Sequence, residues 1–193
     1  RGGTVYYSMG NDGYLKQGFS ISTGLNENGW AVTLLGGKTS GNGYIQGTEY
    51  EAYTYFMNIS KVFDNQTFSF TGFGAPQWHN QRNNSDYLTI SEWQKQPLGY
   101  KYNASYGFDM NGQRKQSSMN VFHKPQFSLN HYWTIDETSS LSTALYVSIG
   151  NGYGYGGQGF TSDDRTAWYG SSEGIPNTKF RNLDGTFDYG AIY

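Results

Sequence analysis

The residues best equipped for chemistry lie in the segment from Ala75 to Phe122, which carries Trp78, His79, Arg82, Tyr87, Trp93, Tyr100 and Tyr102. Aromatic faces and a guanidinium fork suit sugars, peptides or anionic metal chelates. Trp78, His79, Arg82 and Trp93 are therefore the candidate ligand contacts. The competing reading is that these side chains pack the segment onto itself. No catalytic residue is assigned. The histidines are His79, His123 and His131, and no two stand four apart on a helix with a carboxylate beside them. Asp163, Asp164, Glu173, Asp184 and Asp188 cluster near the end, as oxygen ligands for calcium or as a solvated loop, with the loop preferred. The run Gly150 to Gly157 lacks the Lys-Ser/Thr and the helix of a phosphate-binding loop. It reads as a flexible exit from a strand. No metal site and no cofactor are expected. Four Asn-x-Ser/Thr triplets, at Asn58, Asn65, Asn83 and Asn103, read as chance.

Composition narrows the class. Glycine accounts for 27 of 193 residues and aromatics for 18%, while charged residues reach only 15%. Disorder needs the opposite balance. A net charge of −2 gives no electrostatic footprint for nucleic acid. The absence of cysteine removes disulfide scaffolds, thiolate metal sites and cysteine nucleophiles together. No apolar run approaches the roughly 18 residues of a membrane helix. The chain opens Arg1-Gly2-Gly3-Thr4, without an initiator methionine or a signal peptide, and is read as a fragment.

The elements that must hold these residues are strands. Periodicity is two, with no helical stripe. Leu141, Thr143, Leu145, Val147 and Ile149 alternate with Ser142, Ala144, Tyr146 and Ser148. Phe127, Leu129, His131, Trp133 and Ile135 alternate with Gln126, Ser128, Asn130, Tyr132 and Thr134. The turn-rich stretch from Asp136 to Ser140 joins them, and pairing Ile135 with Leu141 makes the apolar faces coincide. A second hairpin carries Leu15, Phe19, Ile21 and Leu25 into Asn28-Gly29 and back through Trp30, Val32 and Leu34. A third runs from Tyr53 to Ile59, turns at Asp64-Asn65, and returns with Phe68 opposite Lys61 and Phe70 opposite Ile59. With a short strand at Thr4 to Ser8, about seven strands result.

Short turns alternate with long connections at Gly37 to Thr48, Ala75 to Phe122 and from Asn151 onward. That asymmetry fits an outer-membrane barrel, with short periplasmic turns and long extracellular loops. Trp30 and Trp133 sit beside short turns, where membrane-interface aromatics belong. The expected fold is thus all-β: an antiparallel up-and-down transmembrane β-barrel segment spanning residues 1–193. Two alternatives stay open, a soluble secreted β-sandwich module binding glycans and a secreted β-sandwich hydrolase.

Several stretches carry a family resemblance. They are Gly29-Trp30-Ala31-Val32-Thr33, Gly43-Tyr44-Ile45-Gln46-Gly47-Thr48, Ala52-Tyr53-Thr54-Tyr55-Phe56, Phe73-Gly74-Ala75-Pro76-Gln77-Trp78-His79-Asn80-Gln81-Arg82, the run from His123 to Trp133, and Ser140-Leu141-Ser142-Thr143-Ala144-Leu145. In this order they resemble the early barrel strands of TonB-dependent outer-membrane receptors of the Bacteroidetes type, from about Gly13 to Gly157. The resemblance implies a barrel of about 22 strands, an N-terminal plug and a TonB-engaging motif. Plug and remaining strands are absent from this chain. It further implies an outer-membrane location, contact with lipid, coupling to the TonB complex through the missing plug, and uptake of a scarce small ligand. A separate surface lipoprotein that caps the barrel is a partner the resemblance leaves open. No enzyme activity is implied.

Overall fold

The computed structural model describes residues 1–82, 90–115, 118–155 and 178–191. Among the described residues the chain is all-β apart from a six-residue helix, α1 (Ile90–Lys95), and three single 3-10 turns. Its strands are β1 (Gly2–Met9), β2 (Leu15–Ser22), β3 (Trp30–Gly41), β4 (Tyr50–Val62), β5 (Gln66–Gly74), β6 (Gln77–Asn80), β7 (Gly107–Phe108), β8 (Arg114–Lys115), β9 (Met119–His123), β10 (Gln126–Thr134), β11 (Ser140–Ser148), β12 (Asn151–Tyr155) and β13 (Phe187–Asp188). Two compact units emerge. The first comprises Arg1–Gly41, Glu51–Gln77 and Val121–Gly152; the second comprises Asn42–Tyr50, Trp78–Asn120 and Tyr153–Tyr193.

The first unit is built on an antiparallel meander in the order β1-β2-β3-β4-β5-β10-β11. These are the seven strands that the alternation marks out. Among the described residues β1 and β11 do not pair with each other, so this seven-strand path of the ten-stranded sheet is not closed. Local chemistry explains the turns. Gly29 adopts φ +76°, and a Cβ there would stand 2.3 Å from the Val62 carbonyl oxygen. The Asn26 carboxamide accepts from the backbone N–H groups of Asn28 and Trp30 and closes the same turn. Lys61 pairs with Phe68 and Ile59 with Phe70, in the expected register.

Three expectations need correction. Trp133 pairs with Leu141 and Phe127 with Val147, a slip of two residues from the predicted pairing. The loop keeps its length but is centred one residue earlier. Asp136 accepts from the Thr138 backbone and hydroxyl, while Ile135 and Asp136 both donate to the Ser139 carbonyl. An even slip leaves every side chain on its face. Second, β3 runs on to Gly41 and β4 begins at Tyr50, so their connection is only 42–49 rather than Gly37 to Thr48. Third, the link between β1 and β2 is a tight turn at the end where the long connections lie, with Asp12 and Gly13 both at positive φ.

The second unit holds the small buried core: Ala104, Phe187 and Tyr189, with Tyr102 and Phe180 packed against them. Strand β13 lies parallel to β7, which pairs antiparallel with β8. The segment from Ala75 to Phe122 is therefore not a plain loop.

Candidate functional site

Register decides which side chains share a face. In the first unit Ile59, Phe70, Leu129 and Leu145 form one row across β4, β5, β10 and β11. Met57, Gly72, Phe127 and Val147 form the next. On the opposite face Asn58, Thr71, Ser128 and Tyr146 line up, and beside them Ser60, Ser69, Asn130 and Ala144. On the apolar side Leu129, Leu145 and Val147 are 43%, 65% and 50% accessible, while Met57, Ile59 and Phe70 are half-buried. On the polar side Ala144 and Tyr146 of β11 are exposed, while Asn58, Ser60, Ser69, Thr71, Ser128 and Asn130 are half-buried. They also satisfy one another. The Asn58 amide donates to Ser69 Oγ and Thr71 Oγ1, each at 2.8 Å, and Ser60 Oγ donates to Asn58 Oδ1 at 2.9 Å. Among the described residues of this unit no apolar side chain is classed as buried. A water-soluble sheet has the reverse polarity.

Aromatic and charged side chains collect at the two ends of this face. At the short-turn end Phe68 stacks on His131 at 4.2 Å and 9°, and His131 lies at 6.5 Å from Trp133. The imidazole Nε2 is 2.9 Å from Gln66 Oε1. Lys61 stands over Trp30 at 5.2 Å and over Phe63 at 5.1 Å, and donates to the Asn28 carbonyl. Trp30 and Trp133 thus occupy one band. They differ in presentation: Trp30 is 46% exposed, whereas the Trp133 indole N–H is buried without a hydrogen-bond partner. At the other end Lys38 pairs with Glu51 at 2.5 Å and lies 5.2 Å from the Tyr53 ring, whose hydroxyl donates to Glu51 at 2.9 Å. Tyr55 Oη is 3.0 Å from His123 Nε2.

Comparison with protein-family models, curated proteins and solved structures gives no match.

The second unit shows where the ligand-contact candidates stand. Arg82 Nη1 donates to the carbonyls of Tyr100 at 3.1 Å and Tyr102 at 3.4 Å, and the guanidinium lies 5.1 Å from the Trp93 ring. Trp93 meets Tyr102 edge-on at 6.5 Å. Arg82 and Trp93 therefore brace the segment internally. Trp78 and His79 lie on β6 and are half-buried, with His79 Nε2 3.1 Å from the Gln81 amide nitrogen. Tyr87, Asp163, Asp164, Glu173, Asn83 and the end of the glycine run, Gly156 and Gly157, lie outside the described residues.

The structure adds a pair that the sequence does not announce. Tyr100 stacks on Tyr44 at 5.5 Å and 27°, their hydroxyls are hydrogen-bonded, and Lys101 Nζ lies 4.5 Å from the Tyr44 ring. Both rings stay more than half exposed. Tyr44 and Tyr100 are 56 residues apart, so no local signal joins them. Lower down, Arg114 donates to the Gly47 carbonyl at 2.9 Å and to Glu49 at 3.1 Å, and Asn80 donates to Glu49 at 2.9 Å.

The aspartates serve turns. Asp184 Oδ1 accepts from the Thr186 hydroxyl at 2.6 Å and from its backbone at 3.0 Å, and the hydroxyl contact leads in lowering the carboxyl below its ordinary range. The Gln113 backbone N–H does the same for Asp109, and the Thr138 backbone N–H for Asp136. Among the described residues no group of three or more histidine and carboxylate side chains is arranged to hold a metal.

Proposed function

We propose that the seven-strand meander is a wall segment of a Gram-negative outer-membrane β-barrel, and that the protein is a TonB-dependent receptor taking up a scarce extracellular nutrient. The observation that carries the first part is the inverted polarity of the sheet. Among its described residues no apolar side chain is buried and Leu129, Leu145 and Val147 are exposed, while the Asn, Ser and Thr groups of β4, β5 and β10 on the other face are half-buried and hydrogen-bonded to one another. Lipid is the solvent that makes such a face favourable, and a lumen is the place for the other.

Dimensions support this reading. The sheet's strands run from 8 to 13 residues, bracketing the roughly 9–11 residues that cross a bilayer. On β4 the two polar-aromatic bands are marked by Tyr53 and Lys61. Their separation is about 27 Å along the strand, or about 20 Å of height at the usual barrel tilt. An apolar belt between aromatic girdles is about 25 Å tall. The receptor class rests on the sequence resemblance, which also supplies the plug, the TonB complex and the outer-membrane location.

Ligand recognition falls to the second unit. The Tyr44–Tyr100 pair with Lys101 offers an exposed aromatic platform with a cation beside it, suited to a sugar or peptide face. Trp78 and His79 remain candidates, and Arg82 and Trp93 act by holding the platform's backbone in place.

The test has two arms. The full-length protein should fractionate with the outer membrane and require detergent for extraction; a monodisperse monomer released in plain buffer would sink the barrel reading. In growth on the limiting nutrient, Tyr44→Ala with Tyr100→Ala should slow uptake while the protein still inserts. Unchanged growth with correct insertion would move recognition to the plug or to other loops. Protease should cut the second unit from outside the cell, and cleavage only from the periplasmic side would invert the orientation.

A further inference from the structure

One cavity lies wholly within the second unit. It measures about 480 Å³ and is formed by residues 96–98 and 181–186 together with Gln46 and Tyr102. Small-ligand sites run to roughly 300–1,000 Å³. The turn at 182–186 is firmly closed. The Asn182 N–H donates to the Thr186 carbonyl at 2.8 Å, the Gly185 N–H donates to the Asn182 carbonyl at 2.9 Å, Asp184 Oδ1 accepts from Thr186, and Gly185 holds φ +84°. At the tip of this turn Leu183 is fully exposed, and Leu98 in the same lining is 48% exposed. The turn thus fixes a leucine in water, an arrangement that costs free energy and returns nothing in the free protein. An apolar group entering the cavity recovers that cost. Most polar groups of the lining are already spent. The Asn182 amide donates to Thr186 Oγ1 and to the Phe187 carbonyl, and Arg181 Nη1 donates to the Ala104 carbonyl. Gln46 and Gln96 differ. Their backbones are bonded, to Lys101 and to Trp93 and Gly99, while their carboxamides engage no protein group among the described residues. A carboxamide both donates and accepts, as a peptide unit does. A sugar, with a hydroxyl on almost every carbon, needs a denser set of unspent polar groups than this lining holds.

We propose that this cavity is the specificity pocket of the nutrient site and that the nutrient is a peptide: an apolar side chain enters against Leu98 and Leu183, and Gln46 and Gln96 bond the backbone amides that flank it. The inference rests on the assignment of recognition to the second unit and names the ligand class for it. Pocket and platform share the same two stretches of chain. Gln46 follows Tyr44 by two residues, Tyr102 follows Tyr100 by two, and the Gln46 N–H donates to the Lys101 carbonyl at 2.9 Å, which ties the stretches together. A peptide with one side chain in the pocket therefore has its neighbouring residues within reach of the Tyr44 and Tyr100 rings.

The test uses the full-length protein, purified from whichever cell fraction holds it, and three probes: the end-blocked peptides Ala-Leu-Leu-Ala and Ala-Ser-Ser-Ala, and maltotetraose. Binding is read by isothermal titration calorimetry. The leucine peptide should bind about tenfold more tightly than the serine peptide, the scale of one leucine side chain leaving water, and maltotetraose should bind more weakly than the leucine peptide. Leu98→Ser with Leu183→Ser should erase the leucine preference; both side chains are exposed, so the fold does not depend on them. Gln46→Leu with Gln96→Leu should weaken both peptides alike and keep their ratio, with an unchanged thermal midpoint. Equal binding of the two peptides by the wild type, tighter binding of maltotetraose, or a leucine preference that survives the serine double variant overturns the pocket. Fractionation of the same preparation separates this from the underlying reading. A protein that keeps the leucine preference but lies outside the outer membrane overturns the barrel alone, and an outer-membrane protein without the preference overturns the peptide site alone.

Discussion

The two units of this chain solve the same problem in opposite ways. The second unit hides Phe187 completely and Tyr189 nearly so, and surrounds them with bonded polar groups: Tyr189 donates to the Ser105 carbonyl at 2.7 Å, and Asn103 Oδ1 accepts from the backbone and hydroxyl of Ser105. Among its described residues the first unit buries no apolar side chain: it half-buries a hydrogen-bonded ladder of hydroxyls and amides and leaves Leu129, Leu145 and Val147 exposed. In water only the former arrangement is self-sufficient. The contrast teaches that hydrophobic content says little about stability until its intended solvent is known. The same chain carries one region organised around a dry core and another organised around a polar ladder.

Substitutions can break that contrast, and the largest effect belongs to the buried ring. Phe187→Ala should destabilise the second unit by about 3–5 kcal/mol, read as a lower protease threshold for residues around Tyr102 and Arg181. An effect as small as that of an exposed aromatic such as Phe122 would show that this core is not what holds the unit. Next comes polarity on the sheet. Leu129→Arg should cost about 2–4 kcal/mol if the residue faces the membrane midplane, and should abolish outer-membrane assembly. Asn130→Arg, one residue along and on the other face, should be tolerated. Equal tolerance of the two in a membrane-fraction assay would remove the distinction between the faces.

Smaller effects sharpen the picture. Asn58→Ala removes the two hydrogen bonds its amide donates to Ser69 and Thr71 and the one it accepts from Ser60 and should cost about 1 kcal/mol, measured as a shift in the thermal midpoint of detergent-extracted protein. No shift would mean that the ladder is replaced by water without loss. The smallest effect is on pH. Asp109, Asp136 and Asp184 are held below the ordinary carboxylate range by the backbone or hydroxyl groups they accept from. A lowered folded value means stability that is present above the unfolded value of about 3.9 and lost as pH falls through the folded one. Amide exchange at Gln113, Thr138 and Thr186, corrected for intrinsic rates, should therefore be flat from neutral pH to about 5 and quicken below about 4. Quickening near neutrality instead would assign these turns to other groups.

Much of the sheet was legible because a strand's alternation and its turn residues are written locally. Phe68 opposite Lys61 followed from Asp64-Asn65 and two runs of alternation. The slip between β10 and β11 was not legible, because several polar residues from Asp136 to Ser140 can cap the turn and only the folded geometry selects Asp136 and Ser139. The candidate contacts divided on the same ground. Arg82 and Trp93 read as ligand groups in sequence, yet their partners are carbonyls and rings at Tyr100 and Tyr102 that no spacing rule joins to them.

What the sequence determined by itself is the period: which residues share a face, where the chain turns, and that one face is apolar from Phe19 to Val147. Tertiary structure alone decided which face is exposed, that Gly36 lies beneath Phe19, that Lys38 meets Glu51, and that Tyr44 stacks on Tyr100. The reason is physical. Alternation needs only the pleat of a single strand, which every residue imposes on its neighbours. Exposure and side-chain pairing depend on which distant segments reach the same place, and that is fixed only when the strands have found their partners.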